Sequence, residues 1–181
     1  RFNRVLTRFI EARLIVPGWI GMANVKWLGA ITVANERVYV EKNTTDYVLK
    51  GPDYAAEPPA DGARLDRLVV KSALYLPWPA DLSAGKQTVA GFAWSPNGTI
   101  AAVDVSLDGA ATFARARLVG PNLPRAGTRF EFDLDARPGE FTITPRATDD
   151  QGIMQHPPSE QVWNELGYLF GAMAPHPVRV Q

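Results

Sequence analysis

From Arg13 onward the chain never runs far without a turn-forming residue. Short apolar and β-branched runs occur at Arg13–Val16, Val25–Val33, Arg37–Glu41, Leu68–Tyr75, Gln87–Trp94 and Thr99–Leu107, and again at Ala111–Val119, Thr128–Leu134, Glu140–Arg146 and Val178–Val180. Between them stand Pro, Gly, Asn and Asp. Runs this short, bounded this way, favour strands over helices, and many of them in one chain predict an all-β sandwich or barrel. The sharpest local signal is the alternating run Ala101–Leu107 followed by Asp108-Gly109. Asp-Gly tolerates the positive φ angles of a tight turn, so Thr112–Leu118 is expected to run back as a hairpin.

Three stretches break this pattern. In residues 1–12, Phe2, Val5, Leu6, Phe9 and Ile10 recur at helical spacing among Arg1, Arg4 and Arg8, which predicts a short amphipathic helix docked on its own domain. Lys50–Asp66 holds Gly51, Pro52, Pro58, Pro59 and Gly62 among polar residues and reads as a linker or long surface loop. Glu160–Tyr168 has room for about a turn and a half of helix before Gly171 and Pro175.

At 181 residues and 46% hydrophobic content, the chain can bury one core with a small appendage. Its 19 basic and 19 acidic residues cancel, whereas phosphate neutralisation by a nucleic-acid binder needs a basic excess. There is no cysteine, which removes disulfides, thiolate metal sites and thiol nucleophiles together. No apolar run reaches the length of a membrane span.

Most reaction chemistry finds no footing. His156 and His176 are the only histidines and stand far apart; Asp149 and Asp150, which precede Gly152, read as turn-forming acids rather than metal ligands. No G-x-S-x-G elbow and no phosphate-cradling glycine loop is present. Asn43-Thr44-Thr45 and Asn97-Gly98-Thr99 match the glycosylation sequon, a match common by chance. What remains is a pair of cations, Arg13 and Lys26, set in otherwise apolar strand sequence around Gly18 and Gly21, where backbone can approach a ligand closely.

The stretch Arg13-Leu14-Ile15-Val16-Pro17-Gly18-Trp19-Ile20-Gly21, continued by Val25-Lys26-Trp27-Leu28, resembles the end of the molybdopterin domain in the sulfite oxidase family of molybdenum oxidoreductases. Farther on, Gly91-Phe92-Ala93-Trp94, Val103–Gly109, Arg146–Asp149, Gln155 and Trp163-Asn164 with Gly167-Tyr168 resemble that family's dimerisation domain, in the same order. The resemblance implies an immunoglobulin-like β-sandwich preceded by a short remnant of the molybdopterin domain. The expected organisation is a divergent segment over 1–12, the remnant over 13–50, a linker over 51–64 and the dimerisation domain over 65–181.

The same resemblance implies a molybdenum-molybdopterin cofactor contacted by Arg13, Asn24, Val25 and Lys26, with Tyr47 beside the metal. It implies a homodimer through the sandwich, an electron acceptor such as cytochrome c, and an exported or periplasmic setting. The departures are equally specific. The family's molybdenum is bound by a cysteine thiolate, absent here, so this chain is expected not to hold the cofactor alone and the missing active-site domain is expected outside it. Arg8 stands where a histidine is usual, Glu165 lies where some members carry a substrate-binding arginine, and Ala110 and Phe113 replace a usual glycine and tryptophan.

Overall fold

The computed structural model describes residues 12–181, so the expected helix Phe2–Ile10 lies outside the described residues. Two compact units divide it. The first comprises the described residues up to Leu68 together with Val162–Leu169; the second comprises Val69–Gln161 and Phe170–Gln181.

The first unit has little regular structure. It contains a 3-10 turn at Gly21–Ala23, a π-helical turn at Lys42–Asp46, and an antiparallel ladder of β1 (Val48–Leu49) with β2 (Ala63–Arg64). The prolines and glycines of the 51–64 stretch therefore lead into a strand. Ile20, Leu49 and Leu65 form a small core, against which Met22, Tyr47, Tyr54 and Tyr168 pack. Strands expected at Val25–Val33 and Arg37–Glu41 do not form; the segment contributes only an isolated bridge between Arg13 and Lys26. A strand needs a neighbour for its N–H and C=O groups. Among the described residues this segment has no ladder partner, and Ile31 and Val33 are 68% and 91% exposed.

The second unit is a β-sandwich. Its strands are β3 (Lys71–Leu74), β4 (Ala80–Leu82), β5 (Gly85–Trp94), β6 (Ile100–Ser106), β7 (Ala114–Arg115), β8 (Arg117–Val119), β9 (Gly127–Ala136), β10 (Gly139–Asp149) and β11 (His176–Val180). One sheet runs β3-β5-β9-β8 and the other β4-β11-β10-β6-β7. The only parallel pair among these described strands is β4 with β11. The immunoglobulin-like sandwich expected from the sequence is the fold observed.

Period-two alternation makes the core. Val89 and Ala93 of β5, Phe130 and Leu134 of β9, Val103 and Val105 of β6, and Ile143 and Ala147 of β10 point into one buried cluster. Phe130 is fully buried opposite Gly91, where any side chain would run into the phenyl ring. Burial of such a ring contributes about 2–3 kcal/mol. Among the described residues, Thr144 Oγ1 and Arg146 Nε are buried without a hydrogen-bond partner, but Gln155 and Asp149 of this interior are partnered. Gln155 accepts from Ser72 Oγ at 2.5 Å and from the Ala147 N–H at 3.1 Å, and donates to the carbonyls of Gly171 and Ala172. Asp149 accepts from Ser95 Oγ at 2.7 Å, Asn97 Nδ2 at 3.1 Å and the N–H groups of Gln151 and Ile153. With its amide committed to Asp149, Asn97 is a structural residue rather than a free sequon.

The expected hairpin after Asp108-Gly109 needs correction. Only Ala114 and Arg115 return along β6, opposite Val105 and Asp104; beyond Ala116 the chain crosses to the other sheet and pairs with β9. Ala111–Val119 is thus two short strands in two sheets. The loop between is held by Asp108, which accepts from Ser106 Oγ and from the N–H of Thr112. The stretch Glu160–Tyr168 likewise forms no helix beyond a 3-10 turn at Pro158–Glu160.

Candidate cofactor site

All five residues singled out from the sequence lie in the first unit. Gly18, at φ 82°, opens the Pro17-Gly18 reversal, and the Trp19 N–H closes it on the Val16 carbonyl at 3.2 Å. Asn24 fastens the two arms: its Oδ1 accepts the Val16 N–H at 2.9 Å and its Nδ2 donates to the Ile20 carbonyl at 3.2 Å. Both ends of the Asn24 amide are therefore spent on the turn, so its side chain shapes the site.

Past this clasp the two arms run antiparallel. The Leu14 N–H donates to the Val25 carbonyl at 2.9 Å, and the Leu28 N–H donates to the Ala12 carbonyl at 3.1 Å. Arg13 and Lys26 face each other between these bonds. Residues opposed in an antiparallel pair send their side chains to one face, with Cβ atoms roughly 4.5–5.5 Å apart, and like charges so placed destabilise the pair. Both side chains are exposed, and neither makes an ion pair among the described residues. Trp27, next in sequence, sits in the left-handed region at φ 54° with 71% of its surface exposed, an unfavourable conformation for an aromatic residue.

Tyr47 is reached from the opposite end of the unit's chain. The π-helical turn Lys42–Asp46 delivers it, closed by its own N–H on the Lys42 carbonyl at 2.9 Å; such turns are rare and concentrate at functional sites. The half-buried ring packs on the core that Ile20 of the Pro-Gly turn also enters. The Lys42 ammonium lies 5.8 Å from its centroid while pairing with Asp46 at 2.7 Å, which raises the Lys42 pKa. The Tyr47 hydroxyl makes no hydrogen bond among the described residues. No hydrogen bond or cation–π contact among the described residues joins Tyr47 to Arg13 or Lys26.

One neighbour of Tyr47 escaped the sequence reading. The Tyr168 ring lies 5.7 Å from that of Tyr47, and its hydroxyl donates to the Asp46 carbonyl at 3.1 Å. The block Trp163-Asn164 with Gly167-Tyr168 was the available signal, but the long separation in sequence hid its target. Glu165 is exposed, with its N–H on the Lys50 carbonyl at 2.9 Å.

The donor set fits one part of a pterin cofactor. A guanidinium and an ammonium on one face suit a phosphate or a polar ring edge. The thiolate that the resemblance implies for the metal has no counterpart here, since no cysteine is present. Among the described residues there is no group of three His, Cys, Asp or Glu able to hold a metal ion. His156 and His176 are separately engaged with the carbonyls of Pro157 and Pro77. No helix among the described residues is long and apolar enough to cross a membrane.

Residues 62–180 match the Mo-co oxidoreductase dimerisation domain, and residues 11–41 match the oxidoreductase molybdopterin binding domain. Mitochondrial sulfite oxidase of Mus musculus is 32% identical over 179 residues, covering 93% of this chain and 32% of that protein. Sulfite oxidase of Gallus gallus is 33% identical over 174 residues, covering 88% and 37%. The chain spans about a third of the length of these curated relatives. The crystal structure of the sulfane dehydrogenase SoxCD from Paracoccus pantotrophus superposes with a TM-score of 0.78 at 29% identity, covering 93% of this chain and 46% of that one.

Proposed function

The chain belongs to the sulfite oxidase family of molybdopterin oxidoreductases, whose dimerisation domain it carries, and on that premise we propose that it also supplies one wall of the cofactor site. In this reading Arg13 and Lys26 hold the pterin's phosphate or ring edge, Val25 lends backbone to the same edge, Asn24 keeps the two arms in register, and Tyr47 faces the metal. A cysteine-bearing domain outside this chain supplies the thiolate ligand. The bound group supplies two-electron oxidation of a sulfur compound, a sulfite-like oxyanion or a sulfane, with the electrons passing to an acceptor such as cytochrome c. By itself the chain dimerises through its sandwich and is not catalytic.

One observation carries the cofactor part: two exposed cations opposed across a bridge, neither of them paired with a carboxylate among the described residues. Such a pair costs stability unless a multiply charged anion sits over it. Calorimetric titration of the 181-residue chain with pyrophosphate tests this. Saturable binding should weaken about tenfold in Arg13→Ala and in Lys26→Ala, the loss expected from one charge-assisted hydrogen bond. Equal affinity in all three chains would sink the assignment. For the second part, sulfite-dependent reduction of ferricyanide should be absent from the purified chain. Turnover by the chain alone would return catalysis to it.

A further inference from the structure

We propose that Tyr168 is the positioning residue of Tyr47, an inference that rests on the reading of Tyr47 as part of the cofactor site. Three independent features point to it.

The first is the placement of the segment. Val162–Leu169 leaves the surrounding sequence to join the first unit, and there it contacts the stretch Asp46–Gly51, whose Val48 and Leu49 pair with β2. The Glu165 N–H donates to the Lys50 carbonyl at 2.9 Å, and the Lys50 N–H returns to Asn164 Oδ1 at 3.3 Å. At Gly51 the Trp163 carbonyl approaches so closely that a Cβ would stand 2.7 Å from its oxygen. The stretch that follows Tyr47 is thereby held both by β2 and by Val162–Leu169.

The second is that this grip is rigid at its tip. Asn164 is 4% exposed; its Oδ1 also accepts the Leu166 N–H at 3.0 Å, and its Nδ2 donates to the Tyr168 carbonyl at 3.4 Å. Gly167, at φ 74°, allows the reversal that turns Tyr168 back toward Asp46. The third is the contact itself. The Tyr168 hydroxyl fixes the backbone of the residue before Tyr47, while its ring fixes the face of Tyr47 at an interplanar angle of 30°. The Tyr47 hydroxyl is left without a partner among the described residues, as a group meant for a ligand would be.

The 181-residue chain, uniformly labelled for magnetic resonance, provides the test, because its five tyrosines can be assigned one by one from Tyr→Phe variants. Tyr168→Phe keeps the ring and loses the bond to Asp46; Tyr168→Leu loses both. The expected result is a changed Tyr47 ring resonance in Tyr168→Phe, with a larger change in Tyr168→Leu, while the methyl signals of Val105 and Ile143 stay put. Pyrophosphate should perturb Tyr47 in the unmodified chain. In Tyr168→Phe that perturbation should be lost while the perturbation at Arg13 remains. A purely structural tyrosine would lower the melting temperature without separating those two responses. Unchanged Tyr47 resonances in Tyr168→Phe overturn the proposal even if Tyr168→Leu fails to fold. If pyrophosphate perturbs neither Arg13 nor Lys26 in any chain, the cofactor-wall reading falls, and the Tyr47 resonances alone decide the positioning role.

Discussion

The backbone N–H of Ala110 donates to the Oγ of Ser106 at 2.9 Å while Ala110 itself holds a φ of 71°. The loop thus depends on a left-handed residue that carries a Cβ, at a cost of roughly 1–2 kcal/mol. Ala110→Gly should relieve most of it, with about 1 kcal/mol gained and a melting temperature about 2–4 °C higher. Calorimetry decides it, and a lower melting temperature would mean that loop contacts of the methyl outweigh the backbone term.

Asp149 should make the sandwich acid-sensitive. Burial pushes its carboxyl pKa up, but hydrogen bonds from Ser95, Asn97 and the N–H groups of Ile153 and Gln151 together outweigh that and hold it below the ordinary 3.8. A carboxylate that binds its proton more weakly when folded contributes fully above the ordinary value. That contribution drains away as pH falls through the folded value. Asp149→Ala strands four donors and should cost about 3 kcal/mol near neutral pH. Urea melts between neutral and strongly acid pH should show the gap to the unmodified chain narrowing as pH drops; a constant gap contradicts the assignment.

Lys26→Glu should stabilise the chain while abolishing pyrophosphate binding. Across the bridge, Arg13 would then face a carboxylate instead of an ammonium, a swap favourable by about 0.2–1 kcal/mol. Thermal melts at low salt, with and without pyrophosphate, read both effects. Destabilisation by Lys26→Glu would show that the two cations do not feel each other.

In solution the chain should be a two-fold homodimer. Its sandwich unit leaves Tyr75, Trp78, Leu123 and Phe170 between 48% and 64% exposed, an apolar supply consistent with the dimerisation domain it carries. An isologous interface needs at least roughly 1,000 Å². Light scattering should report twice the 19.8 kDa chain mass. A mass that stays at the single-chain value as concentration rises would sink the dimer.

Sandwich strands were legible where alternation meets a fully buried face, as in Gln87–Trp94 and Thr128–Leu134. There the period of two is written in the side chains themselves. Ala111–Val119 was misread as one strand because the switch of sheets at Ala116 leaves the local pattern unbroken. Val25–Val33 reads as a strand by composition, but a ladder needs a second chain segment, and composition says nothing of whether one arrives. The cations Arg13 and Lys26 could be found as misfits in apolar sequence. Asn24 and Tyr168 could not be given their roles, since a clasp is defined by what it reaches, and Tyr168 reaches a carbonyl at Asp46, far away along the chain.

The return of Val162–Leu169 to the first unit fixes the order in which the molecule can be made. On a translating ribosome the segment around Tyr47 emerges early, yet its grip at Asn164 and Tyr168 is synthesised only after the whole of β3–β10. Domains generally close as they emerge. Here the first unit has to wait for a segment made after the sandwich strands, and a nascent chain stalled before Trp163 would present Tyr47 on a scaffold still lacking its last clamp. Ribosome-bound chains released at successive lengths would therefore acquire protease resistance in the Asp46–Gly51 stretch late and in one step.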